Sequence, residues 1–285
     1  MLKFKLSAFT LVELLVVIAI VGLLSTIVLV ITNGVIDQGR IATGLQFSKH
    51  LENALGDYLV GRWVFNEGNY DTCLDSKDAC DSSGWNNNGT FYGNVSYVDD
   101  TPLDQGHALS FDGDGDYVDC GNNEAFYGVE NMTISFWYNF PQVVVGHVLS
   151  KGSAGYEIYT HTNNNSFNSY FGSAYTGGDA TVKLNQWTNL VYVKNGTNVK
   201  VYENGQITTN TTLGGEISYN NSNNLNIGKR STVNLQYING LIDEVSIYST
   251  ALTASQIRLQ YYTDLDKLLV RGLISREEYQ QKLNI

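Results

Sequence analysis

Residues 9–31 form one apolar run broken by a single charge, Glu13. The run reads Phe9-Thr10-Leu11-Val12-Glu13-Leu14-Leu15-Val16-Val17-Ile18-Ala19-Ile20-Val21-Gly22-Leu23-Leu24 and continues to Ile31. A helix of about 20 apolar residues crosses a bilayer. A carboxylate within such a helix costs about 2.5–3.5 kcal/mol on insertion scales, and ionisable groups at that depth are paired and functional. Any fold of this chain must therefore give Glu13 a partner.

Upstream, the segment from Met1 to Ala8 carries Lys3 and Lys5. Lysine-rich flanks stay on the cytoplasmic side, which puts the bulk of the chain outside. A secretory signal has its small-residue cleavage site after the apolar core. Here Ser7-Ala8 comes before it. Cleavage at that point leaves the hydrophobic helix on the mature protein.

Ala8-Phe9-Thr10-Leu11-Val12-Glu13-Leu14-Leu15 resembles the leader-peptidase site of type IV pilins and of the pseudopilins of type II secretion. The resemblance implies that prepilin peptidase cuts between Ala8 and Phe9 and that the new Phe9 amine is methylated. It also implies that Glu13 neutralises the Phe9 amine of a neighbouring subunit in a filament. A buried carboxylate is tolerated when paired and costly when its partner is removed, so this pair fixes subunit register more than it adds stability. The family usually has Gly before the cut, where this chain has the equally small Ala8. The implied partners are other pilin subunits, the peptidase and the pilus assembly platform. The implied location is a single pass of the inner membrane before assembly and a surface filament after it.

Thr32-Asn33-Gly34 breaks the pattern at the membrane exit. Beyond it, Ile36, Leu45, Leu51, Leu55 and Leu59 recur among polar neighbours, as in an amphipathic helix continuing from the membrane. That stripe is expected to pack on the head or on neighbouring subunits. The expected division is a leader at 1–8, an assembly helix at 9–60, a large domain at 61–250 and a helical tail at 251–285.

The net charge of −11 argues against nucleic-acid binding, which leaves a basic footprint. Two prolines, 28 glycines and 19 tyrosines suit an extracellular β domain with many tight turns. Outside the cytoplasm a Cys73–Cys80 disulfide is compatible with the sequence, though three cysteines leave the pairing and the role of Cys120 open.

From Gly61 to about Ile247 the signals are strands. Leu190–Lys194 and Val199–Glu203 flank Asn195-Gly196, and Asn204-Gly205 follows; such dipeptides favour hairpin turns. Alternation recurs in Met132–Tyr138 and Tyr156–Thr160. Many short strands with regular turns indicate a sandwich or barrel.

Four motifs occur in order. They are Trp63-Val64-Phe65-Asn66-Glu67; Asp81-Ser82-Ser83-Gly84 running to Asn88-Gly89-Thr90; Ala108-Leu109-Ser110-Phe111-Asp112-Gly113 with Asp116-Tyr117-Val118; and Gly240-Leu241-Ile242-Asp243-Glu244-Val245-Ser246-Ile247-Tyr248. Together they resemble a laminin-G-like, concanavalin A-like jelly roll. The resemblance implies a mainly β fold of two stacked antiparallel sheets with the terminal strands adjacent. It also implies a Ca²⁺ site built on Asp81 and Asp243, helped by oxygens near Asn87 and Gly89, with Asp112 as a further candidate. Ca²⁺ takes carboxylate and carbonyl oxygens. The alternative is that Asp81 opens a turn and Asp243 caps a strand.

Asp112, Asp114 and Asp116 imitate an EF-hand start, but Tyr117 replaces the turn glycine and Asn123 the twelfth-position Glu. Gly113 and Gly115 are expected instead to make a tight hairpin turn. No pair of alternating carboxylates suits glycoside hydrolysis, and His50, His107, His147 and His161 are scattered. The expected protein is not an enzyme. Tyr156, Tyr159, Tyr170, Phe171 and Tyr175 lie in a Gly/Asn/Ser-rich stretch, where exposed aromatics would serve glycan binding and inward ones would fill a core.

Thr253-Ala254-Ser255-Gln256 is a capping box, and Ser275 with Glu278 offers a second. Leu265 to Leu283 reads as a helical hairpin that resembles a short C-terminal oligomerisation motif. Packing on the chain's own sandwich is the alternative. The expected function is a pilin-like filament subunit displaying a laminin-G-like head. A minor pilin or tip adhesin gripping glycans, and a secretion pseudopilin, are the alternatives.

Overall fold

The computed structural model describes residues 39–283 except 40, 42, 43, 45, 47, 48, 52, 128, 129, 153, 154 and 215–221. Ala8, Phe9, Glu13 and the apolar run lie outside the described residues. Among the described residues, no helix is long and apolar enough to cross a membrane.

Two antiparallel sheets stack as a jelly-roll-like sandwich. The larger runs in the order β13 (Gln206–Thr212), β12 (Asn198–Glu203), β11 (Thr188–Asn195), β6 (Asn131–Asn139), β15 (Asn239–Tyr248), β4 (Ala108–Asp112) and β3 (Ser96–Val98), with β1 (Leu59–Trp63) also paired to β15. The smaller runs β10 (Ala174–Thr181), β9 (Ser166–Phe171), β8 (Tyr156–His161), β7 (Gly146–Ser150), β14 (Asn226–Ile227), β5 (Tyr117–Asp119) and β2 (Thr90–Tyr92).

Period-two alternation builds the core. Met132, Ile134, Phe136 and Tyr138 of β6 and Leu190 and Tyr192 of β11 point inward, against Tyr156, Ile158, Phe167 and Phe171 of the smaller sheet. Trp63 is fully buried against Phe126, ring centroids 5.9 Å apart. Each such large side chain contributes about 1.5–3 kcal/mol by leaving water.

The expected hairpins form. Asn204 and Gly205, at φ 49° and 76°, turn β12 into β13, a conformation that Asn-Gly adopts at low cost. The Gly113 and Gly115 turn differs from expectation. Both glycines have positive φ, but the strands they join, β4 and β5, belong to different sheets, so the turn is a corner and not a hairpin. Buried Asp116 holds that corner: its carboxylate accepts from the Asp112 N–H at 2.9 Å and from the Asn94 N–H.

The terminal strands are neighbours. Leu59 pairs with Tyr248, and the Ser249 N–H donates to the Tyr58 carbonyl at 2.8 Å. Cys73 and Cys80 are joined by a disulfide, while Cys120 is free and buried.

The tail forms α1 (Ala254–Val270) and α2 (Arg276–Leu283). The Thr253–Gln256 capping box is complete, and Ser275 and Glu278 exchange hydrogen bonds at 2.7 and 3.1 Å. Tyr261, Leu265 and Leu268 of α1 pack on Trp137, and Tyr279 and Leu283 of α2 join them. The Arg271 guanidinium donates to the Leu103 and Asp104 carbonyls, fastening the end of α1 to the sandwich. Of the two readings of the tail, packing on its own sandwich is the one seen.

Candidate functional site

The residues expected to hold Ca²⁺ each make hydrogen bonds of their own or lie buried. Asp81 is a loop organiser. Its Oδ1 accepts from the Arg62 and Ser83 N–H groups at 2.9 Å, and its Oδ2 from the Ser83 hydroxyl at 2.7 Å and the Asn87 N–H at 2.9 Å. The Asn87 carbonyl accepts the Trp63 indole N–H, and its amide donates to the Val60 carbonyl. The Gly89 carbonyl takes the Asp78 and Ala79 N–H groups. Asp112 makes a local turn with the Asp114 N–H at 2.8 Å. These oxygens already accept hydrogen bonds.

Asp243 differs. It is 2% exposed, opposite Trp137 on β6, with Glu244 and Glu67 as electrostatic neighbours. Burial, reinforced by those two carboxylates, pushes its pKa up to about 9. Burial also raises Glu67. Carboxyl groups so placed require a proton or a cation to neutralise them. Among the described residues, no group of three or more His, Cys, Asp or Glu side chains is placed to hold a metal.

The outer faces of the two sheets are dissimilar. On the larger sheet, the outward residues Val191, Val193 and Tyr202 are covered by Leu51, Leu55, Leu252 and Ile257. Trp137 on the same face is covered by α1. Among the described residues, no apolar cluster of this kind covers the smaller sheet.

Strand register sets out that smaller face. Tyr175, Tyr170, Glu157, Ser150, Asn226, Asp119 and Thr90 are successive cross-strand neighbours from β10 to β2. A second row places Asn168, Tyr159 and His147 side by side. The inward alternates Tyr156 and Phe171 are fully buried in the core. The aromatic stretch therefore divides: Tyr159, Tyr170 and Tyr175 face outward.

These side chains form a connected cluster. The His147 and Tyr159 rings stack at 4.9 Å, Tyr159 lies nearly parallel to Tyr170 at 6.1 Å, and Tyr170 meets Tyr175 at 5.0 Å. The Tyr175 hydroxyl donates to Asn168 Oδ1 at 3.2 Å, and the Gly178 N–H donates to the same oxygen at 2.9 Å. Burial, with Tyr175 and Tyr170 beside it, holds the Tyr159 phenol well above its ordinary pKa. Tyr175 is 53% exposed and presents an open ring. Convergent hydroxyl and amide groups beside aromatic faces suit a ligand with both apolar and hydroxyl surfaces.

Beside the cluster, the segment between β14 and β15 folds over the middle of the face. Arg230 Nε donates to Glu157 Oε1 at 3.3 Å, and the Ser231 N–H donates to the Ser150 hydroxyl at 3.1 Å. Glu157 is 1% exposed, and His147 Nε2 lies 3.6 Å from its Oε2. Burial opposes ionisation of Glu157, but His147, Arg230 and Ser150 together outweigh it and lower the pKa. Burial lowers the His147 pKa against the pull of Glu157. At the far end of the face Tyr92 stacks on Tyr117 at 4.6 Å, and Lys229 Nζ sits 3.9 Å over the Tyr117 ring.

Sequence reasoning reached the tyrosines but not His147, Glu157, Asn168 or Arg230. The available signal was the alternation Glu157-Tyr159-His161, which puts a carboxylate beside an aromatic on one face. Its partners come from strands and loops far away in sequence.

A model of the prokaryotic N-terminal methylation motif matches residues 5–29. Curated protein sequences give no match. Solved structures share the fold. Domain 4 of AbnA, an extracellular GH43 arabinanase of Geobacillus stearothermophilus solved with arabinotriose, is 21% identical. Its TM-score is 0.54, over 70% of this chain and 97% of that one. The binding domain of Paraclostridial Mosquitocidal Protein 1 is 17% identical, TM-score 0.56, over 74% of this chain and 53% of that one. The binding domain of botulinum neurotoxin DC, solved with rat synaptotagmin II, is 15% identical, TM-score 0.57, over 74% and 52%. The chain thus spans about half the length of those toxin domains. The model of the concanavalin A-like lectin/glucanases superfamily matches residues 112–258, just over half of the sequence and most of the strands of both sheets, and the chain belongs to that superfamily.

Proposed function

We propose that this chain is a type IV pilin-like subunit whose sandwich is a glycan-binding head. The observation that carries the reading is the union of a methylation motif at residues 5–29 with a lectin-like sandwich that keeps an open tyrosine cluster on one face. Peptidase cuts after Ala8, the helix waits in the membrane, and the Glu13 carboxylate pairs with the Phe9 amine of the next subunit as the filament grows. A bare apolar helix leaving lipid must be covered again, and neighbouring helices in the fibre core do this. The head takes a sugar on Tyr159, Tyr170 and Tyr175, with Asn168 holding Tyr175 in place. Any structural Ca²⁺ sits at Asp243 with Glu67, where it would neutralise buried carboxylates.

The test is to shear the cell surface, pellet filaments and measure the N-terminal mass of this chain in the pellet. A methylated Phe9 start within fibres supports the proposal. An intact leader with all of the protein left in the membrane overturns it. Glu13→Ala is expected to abolish or slow assembly with the head still folded. Abundance along the fibre marks a major subunit, and confinement to fibre ends marks a tip adhesin. Glycan-array binding that is lost in Tyr175→Ala supports the assigned face.

A further inference from the structure

The tyrosine cluster has a charged neighbour whose donors are only partly used. Glu157 stands directly across from Tyr170 and two residues before Tyr159, on the same outer face. Opposite residues of an antiparallel pair lie about 4.5–5.5 Å apart at Cβ. Arg230, from the segment after β14, reaches this point. Its Nε donates to Glu157 Oε1 at 3.3 Å, and its Nη1 donates to Gln236 Oε1 at 3.4 Å. Its Nη2 makes no hydrogen bond to the described residues. The Arg230 side chain is 30% exposed, whereas that of Glu157 is 1% exposed. Glu157 is thus a buried anchor that sets the plane of the guanidinium, and unused donors of that plane stand beside the tyrosines.

The charge around this point is matched. The chain carries a net charge of −11, but little of it faces this cluster. In the row that runs from Tyr175 to Thr90 the carboxylates are Glu157 and Asp119. Glu157 is paired with Arg230, and Asp119, three strands further along, accepts from the Gly121 N–H at 2.8 Å and the Asn224 amide at 2.9 Å. The row that holds Asn168, Tyr159 and His147 has no carboxylate at those positions.

From this we infer that the head selects glycans bearing a carboxylate, of the sugar-acid class, with the sugar on the Tyr170 and Tyr175 rings and its carboxylate on the Arg230 guanidinium. The inference rests on the glycan-binding reading above and names the ligand class of that same face. A guanidinium is planar and always charged, and its parallel N–H groups match the two oxygens of a carboxylate. Such charge-assisted bonds are about twice as strong as those to a neutral hydroxyl. The tyrosines supply a surface that any sugar can use, and Arg230 supplies the difference between an acidic sugar and a neutral one.

The test uses the full chain in detergent and probes that differ only in the carboxylate. Oligogalacturonate is compared with its methyl ester, and sialyllactose with its methyl ester, so that uronic and sialic acids are read separately. At least one acid is expected to bind about tenfold or more tightly than its ester, with a ratio that shrinks as salt rises. Arg230→Gln is expected to bring that ratio to about one. Arg230→Lys keeps a cation beside Glu157 but removes the planar fork, and its ratio is expected to fall between the two. Equal binding of acid and ester by the wild type overturns the inference and leaves the glycan-binding reading standing. An unchanged ratio in Arg230→Gln overturns it as well. If Arg230→Gln does not fold, Arg230→Lys decides, and an unchanged ratio there overturns the inference. Tighter binding of sulfated lactose than of either acid overturns the carboxylate assignment. If neither acids, esters nor any neutral glycan on an array bind, the glycan-binding reading fails and the inference falls with it.

Discussion

The outward residues of the two sheets obey different rules. On the larger sheet the outward residues Val191, Val193, Tyr202 and Trp137 are apolar and buried by other parts of the chain. On the smaller sheet Glu157, Asn168, Ser150 and Asn226 are polar but also buried, under a cover that includes the polar segment pinned by Arg230 and Ser231, while Tyr175 beside them is half exposed. An apolar outward row makes a sheet into an internal wall, because that area cannot stay in water. A phenol such as Tyr175, half exposed at the end of a polar row, needs no such cover and can meet a partner repeatedly and reversibly. One sandwich thus has a structural side and a contact side, and substitutions on the two should be read out by different measurements.

The largest effect is expected at the wall. Trp137→Ala removes the indole against which Tyr261 stacks at 5.9 Å and on which Leu265 and Leu268 close. Deleting a buried aromatic costs about 3–5 kcal/mol. Urea unfolding should show that loss, and protease should cut the tail first. A loss below about 1 kcal/mol would mean that α1 is a loose appendage, and the contrast between the faces would fail.

The next effect lies at Asp243 and depends on pH. Its folded pKa is raised to about 9, so the native state holds a proton that the unfolded chain releases above its ordinary value of 3.8. Stability should therefore fall as pH rises from about 4 to about 9, and be greater at pH 5 than at pH 8. Asp243→Asn should flatten that slope and stabilise the head at pH 8 by on the order of 2 kcal/mol. Ca²⁺ at about 10 mM should stabilise the wild type at pH 8 by about 1–2 kcal/mol and leave Asp243→Asn unchanged, given extracellular affinities near 10⁻⁴–10⁻³ M. No response in the wild type would leave the proton as the neutralising group.

A smaller effect is expected where the tail begins. Thr253 accepts the Gln256 N–H at 3.3 Å and completes the capping box. Thr253→Ala should cost about 1 kcal/mol, visible as a small drop in the unfolding midpoint. Because α1 forms part of the wall, the loss should add to that of Leu55→Ala less than independently, since Ile257 and Leu55 share one cluster.

Local rules made much of the fold legible. Asn204-Gly205 announced its turn, the Thr253 and Ser275 boxes announced α1 and α2, and alternation in residues 132–138 announced β6, because each depends on residues a few positions apart. Placement across sheets was not legible. Gly113 and Gly115 looked like a hairpin because turn chemistry does not say which sheet receives the next strand. Ordered motifs paired Asp81 with Asp243 but do not say where a carboxylate's donors lie: Asp81 accepts one hydrogen bond from Arg62 on β1 and three from its own loop. The tyrosines were found but not their side of the sheet, since Tyr156 and Tyr159 differ only in strand parity and that parity is fixed by the core.

The smallest stability effect, and the sharpest test of the contrast, belongs to Tyr175→Ala. Tyr175 is half exposed, and its hydroxyl donates to Asn168 Oδ1. Truncating an exposed ring that fills no cavity should change stability by no more than about 0.5 kcal/mol. If the seven-stranded face is a contact surface, the same substitution should weaken glycan binding by about tenfold or more, about 1.4 kcal/mol. Ile207, about equally exposed on the edge strand β13, is the control: Ile207→Ala should change neither. Calorimetry and array binding on the three proteins separate the cases. Equal binding by all three would make the tyrosine face ordinary surface, whereas loss confined to Tyr175→Ala would tie recognition to the outer face of the seven-stranded sheet.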